Sequence, residues 1–485
     1  MTLTPKKKRI LALLLTLVYM VAAVIGLLQE QMWEMLLPLA CVALAFCVLR
    51  LEETLIFIAF CTPFAIDVAL FEGMELSLPT EPLLILSSLV FLFRALVVKG
   101  YDNAVLRHPV TITLLVSLAW MFVTALFSHD IAVSLKYLAA RLWFVIPFFF
   151  AATIVFKEPR RIRQVYTAYA IALSVIVIIT TLKTLGNTQD LQVLHRVMRP
   201  FYNDHTAYGC VTALFLPGAL YYIFERDAKI WQRLFYLALA VVLGVGVALS
   251  YARAAWISLV GALGVWMLVR WGMKVKWMIA MMAVGVALFF AHQSDILYQM
   301  GKNTQDSSLT VSGQIQSISN ISTDASNLER LNRWACAFRM FGEYPIMGYG
   351  PGTYQFFYGS YQRSDQLSTI STNAGDLGNA HSEYIGPLSE QGLPGMLIVL
   401  VLFLYTFSTG IKVYRTAADP KRARLALALT LCLTTYYIHG FFNNFLDTDK
   451  LSVPFWAFTS AIVALDCYSE KKEAAPDDKR GLSSI

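Results

Sequence analysis

The residues with the most chemical potential stand together at 381–395, HSEYIGPLSEQGLPG, where a long polar stretch meets the apolar run MLIVLVLFLYTF. Imidazole is the side chain best suited to take a proton near neutral pH. His381 has Glu383 and Glu390 near it in sequence, either of which could orient the ring or raise its basicity. Two readings follow: a general base at a membrane surface, or an interfacial ring bonded to a backbone carbonyl. A zinc site is not offered, since the chain has no HExxH and no partnering Cys/His set, and His381-Ser382-Glu383 lacks the Pro-Cys-x-x-Cys of a zinc deaminase. No metal and no cofactor is expected.

Arginines form the second group. Arg253, in LSYARAAWISL, sits between two apolar runs that leave almost no loop, and Arg141, in YLAARLWFVIPF, sits at the start of another. An uncompensated charge at the edge of hydrocarbon costs roughly 2.5–3.5 kcal/mol, so such residues snorkel to the interface or face a polar cavity or an anion. The planar, forked guanidinium matches phosphate. Arg199 and Arg196, in HRVMRPFYNDH, are weaker members of the set, and Asp204 and His205 beside them read first as polar loop residues. Arg330, Arg333 and Arg339 form a third group, either a solvated basic face or a contact to an anionic substrate.

Composition says what positions these groups. The chain is 57% hydrophobic and only 15% charged, where a soluble domain carries about a quarter charged residues. Apolar runs long enough to span a bilayer recur along most of it, which makes it an all-α polytopic membrane protein with about 12–14 transmembrane helices. Spans are expected near 10–28, 33–49, 54–71, 82–98, 110–127, 139–156, 164–182, 207–224, 233–250, 254–270, 277–292, 393–411, 424–440 and 451–466. Ile10–Leu28, behind Lys6, Lys7, Lys8 and Arg9, reads as an uncleaved first span. Of the seven cysteines, only Cys336 lies in the long polar segment, and no disulfide or zinc framework follows.

The net charge of +7 does not point to nucleic acid. Most of the Lys and Arg lie in alternate short loops, RLEE, KEPRRIRQ, ERDAKIWQR, RWGMKVK and KVYRTAADPKRAR among them, a positive-inside pattern with both termini inside. Of the opposite connectors, 293–392 is much the longest, and a structureless loop of that length is unexpected. Its first part is Ser/Thr-rich and polar, and 302–325 could order only with substrate. In SNLERLNRWACAFRMFGEYP, Leu328, Leu331, Trp334, Ala335, Ala337, Phe338 and Phe341 recur at helical spacing, with Ser326 or Asn327 as a cap and Pro345 as a stop. An amphipathic helix on the membrane surface or over the bundle is expected, followed by the glycine-punctuated turn MGYGPGTYQFFYG.

Three features together resemble the O-antigen ligase/polymerase superfamily of bacterial inner-membrane glycan transferases. The ligase pattern His-[Asn/Ser/Gln]-x9-Gly-x-x-Gly is met by His381, Ser382, Gly392 and Gly395. RLNRWACAFRMFGEYPIMGYGPGTY resembles the family's helix followed by Pro and Gly-x-Gly, here Pro345, Gly348, Gly350 and Gly352. SYARAAW resembles Ser-Arg-Gly-Ala-Trp, with Tyr251 intervening and Ala254 in place of glycine. The likeness covers roughly 200–440.

The resemblance implies a metal-independent glycosyltransferase in the bacterial inner membrane, both termini cytoplasmic and the active site periplasmic. The order of spans and connectors divides the chain into N-terminal transmembrane helices over 1–206, central ones over 207–292, a large loop with a surface helix over 293–392, periplasmic by the resemblance, C-terminal helices over 393–466 and a cytoplasmic tail over 467–485. The donor would be a glycan on undecaprenyl diphosphate, and the acceptor a sugar hydroxyl of lipid A–core. His381 would be the base, Arg253 and Arg141, with Arg199, would hold the diphosphate, and Glu383, Ser382, Gly392, Gly395, Arg330 and Arg333 would support them. The complete histidine pattern puts ligase ahead of an O-antigen or exopolysaccharide polymerase, whose acceptor would be a growing glycan. A transporter of lipid-linked glycans is the reading from another class, but transporters show paired repeats and mid-membrane charge, and neither is evident here.

Overall fold

The structure, a computed structural model, describes residues 37–71, 74–98, 101–185, 196–291, 325–367, 371 and 378–470. The span expected at 10–28, the Ser/Thr-rich stretch before 325 and the tail beyond 470 lie outside these residues.

Helices dominate: α1 (Leu37–Leu49), α2 (Leu51–Cys61), α3 (Thr80–Val98), α4 (Pro109–Leu126), α5 (Ile131–Val155), α6 (Pro159–Leu185), α7 (His205–Ile223), α8 (Ile230–Leu249), α9 (Arg253–Arg270), α10 (Val275–Ala291), α11 (Ala325–Glu343), α12 (Ile385–Thr416), α13 (Pro420–His439) and α14 (Asp449–Tyr468). Among the described residues nine are long and apolar enough to cross a membrane. This is an all-α polytopic membrane protein.

Local chemistry sets where helices begin. Asp130, Asp204 and Asp419 each accept a backbone N–H in the first turn of α5, α7 and α13, and Pro109 and Pro420 occupy the first turn, where no N–H is needed. Inside the bundle, hydroxyls such as Thr153, Thr212, Thr406 and Thr430 donate to the carbonyl four residues back. Polar groups are thereby satisfied within their own helix where no water is at hand.

The span expected at 54–71 is a correction. Helix α2 stops at Cys61, Thr62–Phe64 forms one 3-10 turn, and Ile66–Phe71 (β1) pairs antiparallel with Met74–Leu78 (β2). Pro63 lies at the start of that turn and cannot continue the helical ladder. Asp67 then accepts from Ser77 and from Asn203, which a lipid-facing position would not allow.

Helix α14 is buried on all sides from Asp449 to Leu465, which makes it the centre of the bundle. Successive helices alternate in direction, so connectors sort onto two faces. One face carries the basic loops, joined by Arg161–Glu52, Arg163–Glu225 and Lys421–Asp227 pairs. Exposed Trp231, Trp271 and Trp277 stand at helix ends there, as in an interfacial aromatic belt. The other face carries the hairpin, the α4–α5 and α13–α14 connectors, α11 and the segment around His381.

One node ties three helices at the basic face. Asp466 accepts from Lys412 at 2.7 Å and lies 3.2 Å from His108 Nε2, while His108 Nδ1 accepts the Val110 N–H. That last bond fixes the hydrogen of a neutral ring on Nε2, pointed at the carboxylate. Asp466→Ala should lower stability by about 1–3 kcal/mol, read as the thermal midpoint of the solubilised protein. Adding His108→Ala should cost little more, because the two residues share one interaction.

Candidate active site

His381 lies in the segment 378–384, which leads into α12. Its φ of 48° is left-handed; Tyr251 at 53° is the other non-glycine residue with positive φ among those described. Such a backbone persists where surroundings over-determine it. Here the His381 N–H donates to Asn379 Oδ1 at 3.1 Å, and Ser382 Oγ accepts the N–H groups of Tyr384 and Ile385 at 3.3 Å each, starting α12. Glu383 serves the next layer. Its N–H donates to the Gly440 carbonyl, and Oε1 accepts from Tyr436 Oη at 2.5 Å and from the N–H groups of Phe445 and Leu446 at 2.8 and 3.0 Å. Glu383 therefore anchors the α13–α14 connector beneath the histidine; the bonds of this oxygen go to that connector and not to the imidazole.

Helix α11 presents the opposite stripe from the one its apolar residues suggest. Glu329, Asn332, Arg333, Cys336, Ala337 and Met340 face inward, and Phe338 is 44% exposed. The inward polar groups satisfy one another. Arg333 Nε donates to Glu329 at 2.7 Å, Arg333 Nη1 to the Asn379 carbonyl at 3.2 Å, and its guanidinium lies 4.7 Å from the Tyr358 ring. Arg330 Nε donates to the Phe442 carbonyl at 3.1 Å. Burial pushes the His381 pKa down to about 3, with the positive charges of Arg330 and Arg333 acting in the same direction and Asp204 and Glu329 opposing them. His381 is thus held neutral. Asp204, which burial alone would push up, is held below its ordinary value by His205 and by bonds from Thr206 and Ala207.

The two glycine motifs interlock. Gly348, Gly350 and Gly352 all have positive φ, and this turn lies against a break in α12 at Gly392 (φ 69°, ψ −172°). Tyr349 and Gly350 donate to the carbonyls of Ser389 and Glu390, and Leu393 donates to Pro345. A Cβ on Gly392 would stand 2.1 Å from the Ile346 oxygen, and one on Gly348 2.3 Å from the Glu390 carbonyl carbon. Backbone meets backbone, and only glycine allows it. The contact also aims Glu390, which accepts the Tyr354 N–H at 3.0 Å.

Beside the His381 segment lies a cavity between α4, α5, α12 and α14. Asn379, Ser382, Glu383, Glu390, Asn444 and Arg141 give it a polar end, and Leu118, Leu402 and Trp456 an apolar one. Arg141 donates from Nη1 to the Leu446 carbonyl at 2.8 Å and from Nη2 to Tyr137 at 2.9 Å. The remaining expected residues stand elsewhere. Arg253 opens α9 and does not line the cavity, and Arg199 is exposed. Asn379, Asn444 and His439 were not singled out from the sequence. His439 ends α13 with its Nε2 3.1 Å from Asn443 Nδ2, and its buried Nδ1 has no partner among the described residues. Lone amides and a histidine inside an apolar run carry no spacing signal; only the fold gathers them.

Residues 238–400 match the family model described as O-antigen ligase. The matched stretch holds Arg253, α11, the glycine turn, His381 and the break in α12, and it supports a glycan-transferring enzyme of the ligase/polymerase type. A comparison with curated proteins finds no match.

Gly392→Ala should cost about 2 kcal/mol or more and lower any transferase activity with it. Gly264→Ala, whose Cβ would meet nothing within 4 Å, should leave the thermal midpoint unchanged or higher.

Proposed function

We propose, from the O-antigen ligase match and the geometry around His381, that the chain transfers a glycan from undecaprenyl diphosphate to a sugar hydroxyl. The setting is the periplasmic side of a bacterial inner membrane, with both termini cytoplasmic. The acceptor is lipid A–core in the ligase reading and a growing glycan in the polymerase reading, and the complete His381, Ser382, Gly392, Gly395 pattern favours the ligase. One observation carries the reading: a histidine with left-handed backbone is kept neutral beside a polar-to-apolar cavity that its neighbours Ala380 and Ser382 line, with Arg330 and Arg333 of α11 acting on it.

The chemistry balances with these residues. An acceptor hydroxyl gives its proton to His381, its oxygen attacks the anomeric carbon, and the bond from that carbon to the diphosphate oxygen breaks. The diphosphate leaves as an anion held by arginine. Preorganised cations in a site shielded from water are efficient at this, and no acid need protonate the leaving group. Arg330 and Arg333 join Arg141, Arg253 and Arg199 as candidates for that task, because their charges already act on His381. This gives the base a conditional strength. Burial and the charges of Arg330 and Arg333 together suppress its basicity. A bound diphosphate offsets their charge, and the His381 pKa rises toward the range useful near neutral pH.

His381→Ala should reduce transfer by at least about 10²-fold while membrane insertion and thermal midpoint stay normal. The test is complementation of a ligase-deficient Gram-negative strain, with surface polysaccharide read on gels for attachment and for chain length. Attachment restored by the wild type alone establishes the ligase, and unattached polymer of altered length establishes the polymerase. Normal glycan display by His381→Ala would remove it as the base. Arg253→Lys should be poorly tolerated, since charge survives without the forked geometry; wild-type turnover would reduce Arg253 to an interfacial anchor. The pH profile is a separate check. Protonation removes the base, so activity falls as pH falls through the His381 pKa. The fall in kcat, which reports the donor complex, should therefore lie at higher pH than the fall in kcat/KM for donor, which reports the free enzyme.

A further inference from the structure

Two features of the cavity do not suit a lipid diphosphate. The first is charge. Glu383 and Glu390 both line it, against Arg141 alone, and both terminal nitrogens of Arg141 already donate, to Leu446 and Tyr137. Glu383 Oε1 already accepts three hydrogen bonds, from Tyr436, Phe445 and Leu446. A diphosphate brought into this space would meet two carboxylates and one occupied cation.

The second feature is unmet hydrogen bonding. Trp456 is 3% exposed, and among the described residues its buried indole N–H has no acceptor and the buried Oδ1 of Asn444 has no donor. Both residues line the cavity. One wants an acceptor and the other a donor, and leaving either unmet is costly. Phosphate oxygens only accept, so they cannot satisfy Asn444 Oδ1. A polyprenyl chain satisfies neither group. A sugar hydroxyl donates and accepts at once, and a sugar ring carries several, with C–H faces that suit the Trp456 and Leu118 walls.

We propose that this cavity seats the acceptor's sugar ring, while the donor diphosphate is held on the opposite side of His381, against α11. The segment 379–383 is the partition between the two. Asn379 accepts the His381 N–H through its side chain and the Arg333 guanidinium through its carbonyl, and it lines the cavity as well. The base thus stands between a hydroxyl-bearing and a phosphate-bearing substrate, as the transfer requires. This rests on the glycan-transfer reading above.

The experiment measures binding without turnover, on the full chain in lipid nanodiscs, with two probes. One is undecaprenyl diphosphate. The other is a lipid-free oligosaccharide, either dephosphorylated core or a single repeat unit. Trp456→Phe removes only the N–H and keeps a ring, and Asn444→Leu removes the amide at similar volume. Each should weaken oligosaccharide binding about tenfold and leave undecaprenyl diphosphate binding within about twofold. Arg333→Lys should do the converse. The proposal is overturned if the wild type binds neither oligosaccharide, if both cavity variants leave its binding unchanged, or if they weaken undecaprenyl diphosphate instead. A wild type that shows the expected binding pattern but transfers no glycan would instead sink the glycan-transfer reading and leave the binding assignment standing.

Discussion

The contact on which the site depends is backbone against backbone. The turn at 345–352 lies on the broken first turns of α12, and three N–H···O=C bonds join them where no side chain fits. A helix interior normally has no free carbonyl to offer a neighbour. The break at Gly392, followed by Pro394 with no N–H to give, frees the acceptors at 389–391. Tyr349 and Gly350 take two of them, and the Trp120 indole takes a third, from Gln391. The turn is in turn held by Ser134, which donates to the Pro351 carbonyl, and by the His129 N–H, which donates to Tyr349. A discontinuity that would cost free energy in an isolated helix thereby becomes the joint fixing α4, α5, α11 and α12 together. His381 stands just before the start of α12, the helix that carries that joint, so its position is inherited from it.

How much of this was legible follows from which signals are local. Length and hydropathy of the spans are local, and so are the alternate basic loops; the architecture could be read from them. The glycine turn was legible because Gly348, Gly350 and Gly352 advertise left-handed backbone. Helix α11 was legible as a helix, but its inward face was not. Periodicity marks the apolar stripe, and the usual inference buries it. In this helix Glu329, Asn332 and Arg333 are inside because Gln362, Asn379, Tyr358 and the polar lip of the bundle meet them there. The hairpin at 66–78 was hidden because its strand Ile66–Phe71 is as apolar as a span, and only Pro63 and Asp67 speak against one. The roles of Glu383 and Asn379 were out of reach, since their partners at 333 and 436–446 are joined to them only by the fold.

Burying charge in α11 has a cost that the reaction can use. Arg333 and Glu329, 5% and 4% exposed, form a desolvated pair whose own net contribution to stability is small or negative. In the proposed mechanism Arg333, with Arg330 and against Glu329, supplies positive charge at a histidine that would be neutral before the donor binds and a stronger base once it is in place. A solvated histidine near its ordinary pKa would be partly protonated at neutral pH and would answer to bulk pH. On this reading His381 would answer instead to whether an anion is bound nearby, and proton abstraction in the absence of donor would be discouraged.

Charged pairs gather at the basic face of the bundle, while buried polar atoms unmet among the described residues occur near both faces, Arg424 Nε and Ser469 Oγ at the basic one among them. At the basic face, charges find partners: Arg161 with Glu52, Arg163 with Glu225, Asp466 with both Lys412 and His108. At the other face the sequence leaves Trp456 Nε1, Asn444 Oδ1 and His439 Nδ1 unmet among the described residues, and holds Tyr251 and His381 in left-handed backbone. Groups left unmet or strained in one region persist where stability comes from elsewhere. The central helix α14 connects the two: its end at Asp466 lies in the best-paired node of the basic face, and Trp456, higher on the same helix, offers its unused N–H to the cavity.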